Sequence, residues 1–512
     1  MKKLTYLILL ATMVSFGCND AEDKANRMIE RNQTINSSNA FNNLFLDSTS
    51  MESFITEQAF NDTLANAMRS FYNNRNYQYA WFSSSGFTEQ TLAFRNLYDY
   101  ELDTVERKKL DDQLDQWMGQ SNFEVSDKNT NFRKIELSLT WRYLNYLSHR
   151  GINSFSRDAY KEFPLKKLSI DSLVLELKNT DPDNPLVQHL INWNEIKTED
   201  FSIPDISKTI AKNENNPAIQ SVKKKLSLLY DYDKNDTMPQ YSEAFIQFLK
   251  KVNYSFGYRD SLITPNLVKE LNVPINDRLS QMIVNIERMQ WLPNMKEGKH
   301  IIVNIPAFSL TALEGNKTAF DMEVVVGKEG SSTVMFTGNM NNIVFAPYWN
   351  IPQSIVKNEI LPATEKDNSY LERNQMEITG ERNGVPVIRQ LPGAHNSLGK
   401  VKFLFPNSYN IYLHDTPNKA AFNRDERALS HGCIRVRYPA KLAEWVLADE
   451  AQWNEQSIAK AMNETKEKWV KVNPPVTVFI YYLTSFINED GMISFRKDIY
   501  NHDERFKKML IK

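Results

Sequence analysis

A cysteine attacks as its thiolate, and a nearby imidazole is the usual means of making one. One stretch of this chain supplies both. Tyr409-Asn410-Ile411-Tyr412-Leu413-His414-Asp415 is followed, fifteen residues after Asp415, by Ser430-His431-Gly432-Cys433-Ile434-Arg435-Val436. It holds two of seven histidines and one of two cysteines in 512 residues, a concentration that points to chemistry. Cys433 is the candidate nucleophile. Gly432 lets the chain approach a ligand closely, and the N–H groups of Gly432 and Cys433 are candidate oxyanion donors. Spacing leaves the base open between His414 and His431. The first closes an expected strand and can face the thiol across a sheet; the second, two residues before Cys433, can share its face.

The elements needed to position these groups are legible nearby. β-rich runs cover 300–305, 321–327, 343–345, 409–413 and 475–483, and Pro439 opens an amphipathic helix through Leu442, Trp445, Val446 and Leu447. The thiol then lies in a loop between a strand and a helix, within a sheet-based catalytic domain spanning 299–485. An insertion at 352–407 carries a helical signal (354–361) and a turn, Glu381-Arg382-Asn383-Gly384, as an inserted subdomain or lid would rather than one structureless loop. Gly327-Lys328-Glu329-Gly330 follows a strand but lacks both GxGxxG and the Lys-Ser/Thr of a phosphate loop, so that reading is discarded.

The remainder reads mostly helical. A scaffold domain is expected over 41–240, where Ile135, Leu139, Tyr143 and Leu147, widened by Leu137, Trp141 and Leu144, mark one helix ended by Gly151. A small helical module with a linking helix spans 241–293, with Thr264 and Pro265 as a helix start, and 486–512 is left as a tail. The expected fold class is multidomain α+β. With 61 basic and 63 acidic residues the chain has no basic surplus for nucleic acid. Lys2 and Lys3 precede an apolar run ending at Phe16, shorter than the ~20 residues of a spanning helix, which reads as an export signal over 1–17. Gly17-Cys18 looks like a lipoprotein cleavage site, with 18–40 as a tether; simple secretion stays open. If Cys18 carries lipid, Cys433 is the one free thiol of an exported protein.

The pattern His414…Ser430-His431-Gly432-Cys433-Ile434-Arg435 resembles the catalytic signature of the L,D-transpeptidases (YkuD-like). The stretches 285–293, 348–352, 389–399 and 405–407 and the strand ending at Thr484 resemble the large multidomain YcbB-like subfamily; Tyr79-Ala80-Trp81-Phe82 does so faintly. The resemblance implies a mainly-β catalytic domain in which Cys433 attacks the L-centre carbonyl of the third residue of a peptidoglycan stem and expels D-Ala. The acyl group then passes to a side-chain amine of another stem, forming a 3→3 cross-link. His414 becomes the base and later the acid, and the backbone carbonyl of Asp415 holds its imidazole. Ser430 and His431 shape the loop and stand with Tyr412 and Arg435 at the substrate, Arg435 binding a stem carboxylate or making a structural salt bridge. The resemblance also implies carbapenem acylation of Cys433, a peptidoglycan-binding-like module at 241–273 that lacks the usual signals, no cofactor and a monomer. Its partners would be stem peptides and, through lipid on Cys18, a membrane.

Rival readings are an L,D-carboxypeptidase or other exported cysteine peptidase, and a wall-binding lipoprotein without activity. NlpC/P60-like peptidases place Cys before His, and sortases separate His from Cys by far more than the nineteen residues here. No zinc spacing surrounds His414, His431 and Cys433.

Overall fold

A computed structural model describes residues 27–101, 110–111, 114, 117, 123–292 and 297–512. The expected export signal and Cys18 lie outside these residues. The chain divides into two units.

Among the described residues the first unit comprises 27–94, 123–169 and 508–512. Its long helix, Thr130–His149, buries the expected stripe except Trp141, and Gly151 ends it with φ +67°. Glu136 and Thr140 share the buried face. The Glu136 carboxylate accepts the N–H groups of Ala80 (2.6 Å) and Trp81 (3.0 Å), while the Trp81 indole donates to Thr140 Oγ1 (2.8 Å). The Tyr79–Phe82 stretch is therefore a buried strap whose Ala80 and Trp81 N–H groups are satisfied by the helix. Residues 27–40 depart from the expected tether: Ile29 and Ile35 are buried, and the Ile29 N–H donates to Ser70 Oγ (3.1 Å).

The second unit holds helices Ile170–Thr180, Pro185–Ile196, Pro217–Leu229, Glu243–Ser255, Pro265–Leu271 and Ile275–Met289, and then the sheet. Thr264 caps its helix as expected, accepting the Leu267 N–H at 3.1 Å. The strands are β1 (Lys299–Asn304), β2 (Ser309–Glu314), β3 (Lys317–Gly327), β4 (Thr337–Phe345), β5 (Trp349–Asn350), β6 (Met376–Arg382), β7 (Val385–Gln390), β8 (Val401–Leu404), β9 (Leu413–His414), β10 (Ala428–Ser430), β11 (Ile434–Val436) and β12 (Lys468–Tyr481). Nine form one sheet in the order β10-β3-β11-β9-β8-β4-β12-β1-β2. Because β2 also pairs with β3, the sheet closes on itself like a barrel. Its interior is apolar, with Ile301, Ile343, Leu413, Ile434 and Val478 inside and Leu442 and Val446 of helix Pro439–Val446 packed against it.

The insertion is a separate three-stranded sheet, β5-β7-β6, with helical turns over 353–373 and a small core of Ile351, Val356, Ile360, Val385 and Ile388. Asn383 and Gly384 turn β6 into β7 with positive φ, as an Asn-Gly hairpin does. The insertion is shorter than 352–407, since β8 lies inside the main sheet between β4 and β9. Asn396 closes its base, giving its amide to the carbonyls of Pro347 and Leu391 (both 2.9 Å). The expected tail, 486–512, is structured: Ser485–Ile487 pairs with Ile493–Phe495, and a helix covers His502–Leu510. Asn285 and Arg288 reach this region through Thr484 (2.8 Å) and Asp503 (2.5 Å).

Candidate active site

β9 and β11 run parallel with Leu413 opposite Ile434 and His414 opposite Arg435. Leu413 and Ile434 face the core, so alternation turns His414 and Arg435 to the other face. The Ile434 N–H donates to Tyr412 O (3.1 Å), extending the ladder by one step. Tyr412 and Cys433 therefore join His414 and Arg435 on one face. Two short strands thus bring the candidate thiol and base together, and the apolar residues between them fix which way they point.

The loop before the thiol is tied from beneath. Gly432 has φ +112°, a region closed to side chains. Ser430 Oγ donates to Cys433 O (2.5 Å) and accepts the Gly432 N–H (3.2 Å). Thr333 Oγ1 donates to Gly432 O (2.8 Å) and accepts the Gly327 N–H (2.9 Å). A Cβ on Gly327 would lie 2.1 Å from Ser331 O, so that glycine permits the loop 328–333 to fold under the site. Tyr500 completes the support, with its hydroxyl donating to Gly327 O (2.5 Å) and accepting the Thr333 N–H (3.2 Å).

His414 is buried, and its Nδ1 lies 2.5 Å from Asp415 O, which sets the tautomer with Nδ1 protonated. The Asp415 carboxylate is itself pinned by the N–H groups of Lys400 (2.9 Å) and Thr416 (2.7 Å) and by Lys419 Nζ (2.5 Å). Burial, then the charge of Arg435, pushes the His414 pKa down to about 4. Burial pushes the half-buried Cys433 thiol up, opposed by hydrogen bonds from the Tyr412 backbone and hydroxyl and by Arg435. The thiol rests against Asn410 O at 3.5 Å. Arg435 makes no ion pair among the described residues, and its buried Nε has no hydrogen-bond partner.

Residues 298–478 match the YkuD family model, described as the L,D-transpeptidase catalytic domain. This stretch is similar to the catalytic domain of the L,D-transpeptidases. Residues 66–190 match a family model described as a scaffold domain. A putative L,D-transpeptidase of Haemophilus influenzae is 32% identical over 241 residues, which cover 44% of this chain and 48% of that protein. The match thus spans about half the length of the relative. Among solved structures, an L,D-transpeptidase from Mycobacterium smegmatis is 13% identical, covers 36% of this chain and 59% of its own, and gives a TM-score of 0.20. One from Stackebrandtia nassauensis is also 13% identical, covers 55% and 96%, and gives 0.22. The likeness rests on the sequence matches.

Within the matched stretch, two of the expected site residues bond inside the loop. The Gly432 N–H is spent on Ser430 Oγ, whereas the Cys433 N–H has no protein acceptor among the described residues, so any backbone oxyanion donor here is Cys433 itself. Ser430 is 2% exposed with both its hydrogen bonds inside the loop, which places it away from substrate. Tyr412 is held between Trp349 and Cys433. His431 turns instead to the insertion, its Nε2 2.9 Å from Glu359 Oε1. Thr333, Glu359 and Tyr500 lie outside the motif and carry no sequence signal of their place at the site. Gly327 was the one local signal, and its close approach serves the nucleophile loop.

Proposed function

We propose that this protein is a peptidoglycan L,D-transpeptidase that uses Cys433 as nucleophile and His414 as base. The observation that carries the reading is the β9–β11 register, which sets both residues on one face with Arg435 beside them. His414 Nε2 takes the thiol proton as sulfur attacks the L-centre carbonyl of the third stem residue, and returns it to the departing D-Ala nitrogen. The Cys433 N–H meets the developing oxyanion, with Tyr412 close to the sulfur. Arg435, with no ion pair among the described residues, binds a stem carboxylate. The thioester passes to the side-chain amine of a second stem, giving the 3→3 cross-link. The insertion excludes water from that thioester, and the chain works as an exported monomer held to a membrane by lipid on Cys18. Among the described residues no helix is long and apolar enough to cross a membrane.

Purified protein incubated with disaccharide-tetrapeptide should release D-Ala and form dimers, both read by mass spectrometry, and Cys433→Ala should do neither. Undiminished D-Ala release from that variant would overturn the assignment of the nucleophile.

A further inference from the structure

The charges around the thiol are unequal on its two sides. On the sheet face, Arg435 flanks Cys433 and His414, and Lys402 continues the row, being opposite His414 in β8. Lys402 has its own partner in Glu467 (3.6 Å), whereas Arg435 has none among the described residues. Two residues before Cys433 in the loop, His431 has its Nε2 2.9 Å from Oε1 of Glu359, which belongs to the π-helical turn Val356–Ile360 of the insertion. A π-turn presents side chains off the usual helical spacing and is often found at functional sites. It is followed by Pro362, which has no N–H to close an ordinary helical bond. His431 and Glu359 are 40% and 51% exposed, open to a solvent-borne reactant, whereas His414 is 4% exposed.

The second half-reaction proposed above needs an amine that arrives from water as an ammonium ion. It must be held and must lose a proton before its nitrogen can attack. The Arg435 side repels such an ion, and His414, 4% exposed, is not open to solvent to carry the ammonium's first proton away. We propose that Glu359 and His431 form the acceptor site of this domain, Glu359 binding the incoming ammonium and His431 taking its proton. This rests on the transpeptidase reading. Glu359 Oε1 lies 2.9 Å from Nε2; in the proposed site it keeps that nitrogen protonated, so that Nδ1 offers the lone pair for the proton, as the third member of a triad orients its histidine. One ammonium proton leaves through His431 to solvent. The freed lone pair forms the C–N bond, the C–S bond breaks, and a second nitrogen proton passes through His414 to the Cys433 sulfur. The products are an amide, the restored thiol and one released proton.

The test separates the two half-reactions in the full chain. Disaccharide-tetrapeptide serves as donor, and the acceptor is either disaccharide-tripeptide, which enters as an ammonium, or hydroxylamine, which is uncharged at neutral pH. Glu359→Gln should leave the single-turnover burst of D-Ala release within about twofold, yet lower transfer to the tripeptide amine about tenfold or more by loss of a charge-assisted contact. It should spare transfer to hydroxylamine, and Glu359→Asp should restore part of the loss. His431→Gln should slow tripeptide transfer likewise. Equal losses with both acceptors would make the pair a structural latch and overturn the proposal, as would unchanged transfer. Absence of D-Ala release from the wild type would overturn the transpeptidase reading instead.

Discussion

At the scale of single residues, the base is defined by its surroundings. Burial and the Arg435 charge hold His414 at about 4 against an ordinary 6.5, and the Asp415 carbonyl offsets this only in part. The thiol is displaced upward. Both shifts favour a neutral pair over a thiolate–imidazolium pair, so the proton leaves sulfur during attack rather than before it. A base acts in its unprotonated form, so activity is lost as pH falls through its pKa. The acid limb of kcat/KM for D-Ala release should therefore have its midpoint near pH 4. Arg435→Gln removes the second-largest depressing cause and should move that midpoint upward while raising KM for a carboxylate-bearing donor. A pH–rate profile of the two proteins checks this; a wild-type midpoint near 6.5 would contradict it.

At the scale of elements, the nucleophile loop depends on a partner a hundred residues earlier in the chain. The Thr333 hydroxyl bridges the Gly327 N–H and the Gly432 carbonyl, and Thr333 is 3% exposed. Thr333→Val leaves both groups buried without this partner and should cost about 1–3 kcal/mol of stability, with slower D-Ala release, while Thr333→Ser should retain both. Urea unfolding with the rate measurement decides it; equal behaviour of the two variants would show that the loop is held otherwise. This dependence also explains what could be read from the sequence. The thiol, the histidines, the Pro439 helix and the Asn383-Gly384 hairpin are local signals of composition, spacing and turn chemistry. The strand expected over 409–413 shrinks to Leu413–His414 because Asn410 takes a positive φ and Asn407 bonds back to the Tyr409 and Ile411 N–H groups. Thr333, Glu359 and Tyr500 have no periodicity to announce them, since what matters is the group each meets after the chain has folded. Glu136 hides for the same reason: a carboxylate inside an apolar stripe looks like a break in the pattern until Ala80 and Trp81 deliver their N–H groups to it.

At the scale of the whole molecule, the first unit is assembled from three stretches far apart in sequence. The last five residues belong to it: the Leu168 N–H donates to Leu510 O and the Lys512 N–H to Leu168 O, both at 3.0 Å. Leu510 is 1% exposed, so its side chain is core for the helical unit although it ends a helix that begins in the other unit. The barrel has an apolar interior of its own that does not include Leu510. A cavity at Leu510 should therefore weaken one core and spare the other. Leu510→Ala is expected to cost about 2–5 kcal/mol, the usual range for a buried leucine. In calorimetry of the full chain it should lower one unfolding transition and leave the other, with the rate of D-Ala release, unchanged. If the entire profile shifted together and activity fell with it, the two units would form one cooperative block, and the C-terminal strand of contacts would be part of what holds the catalytic barrel in shape.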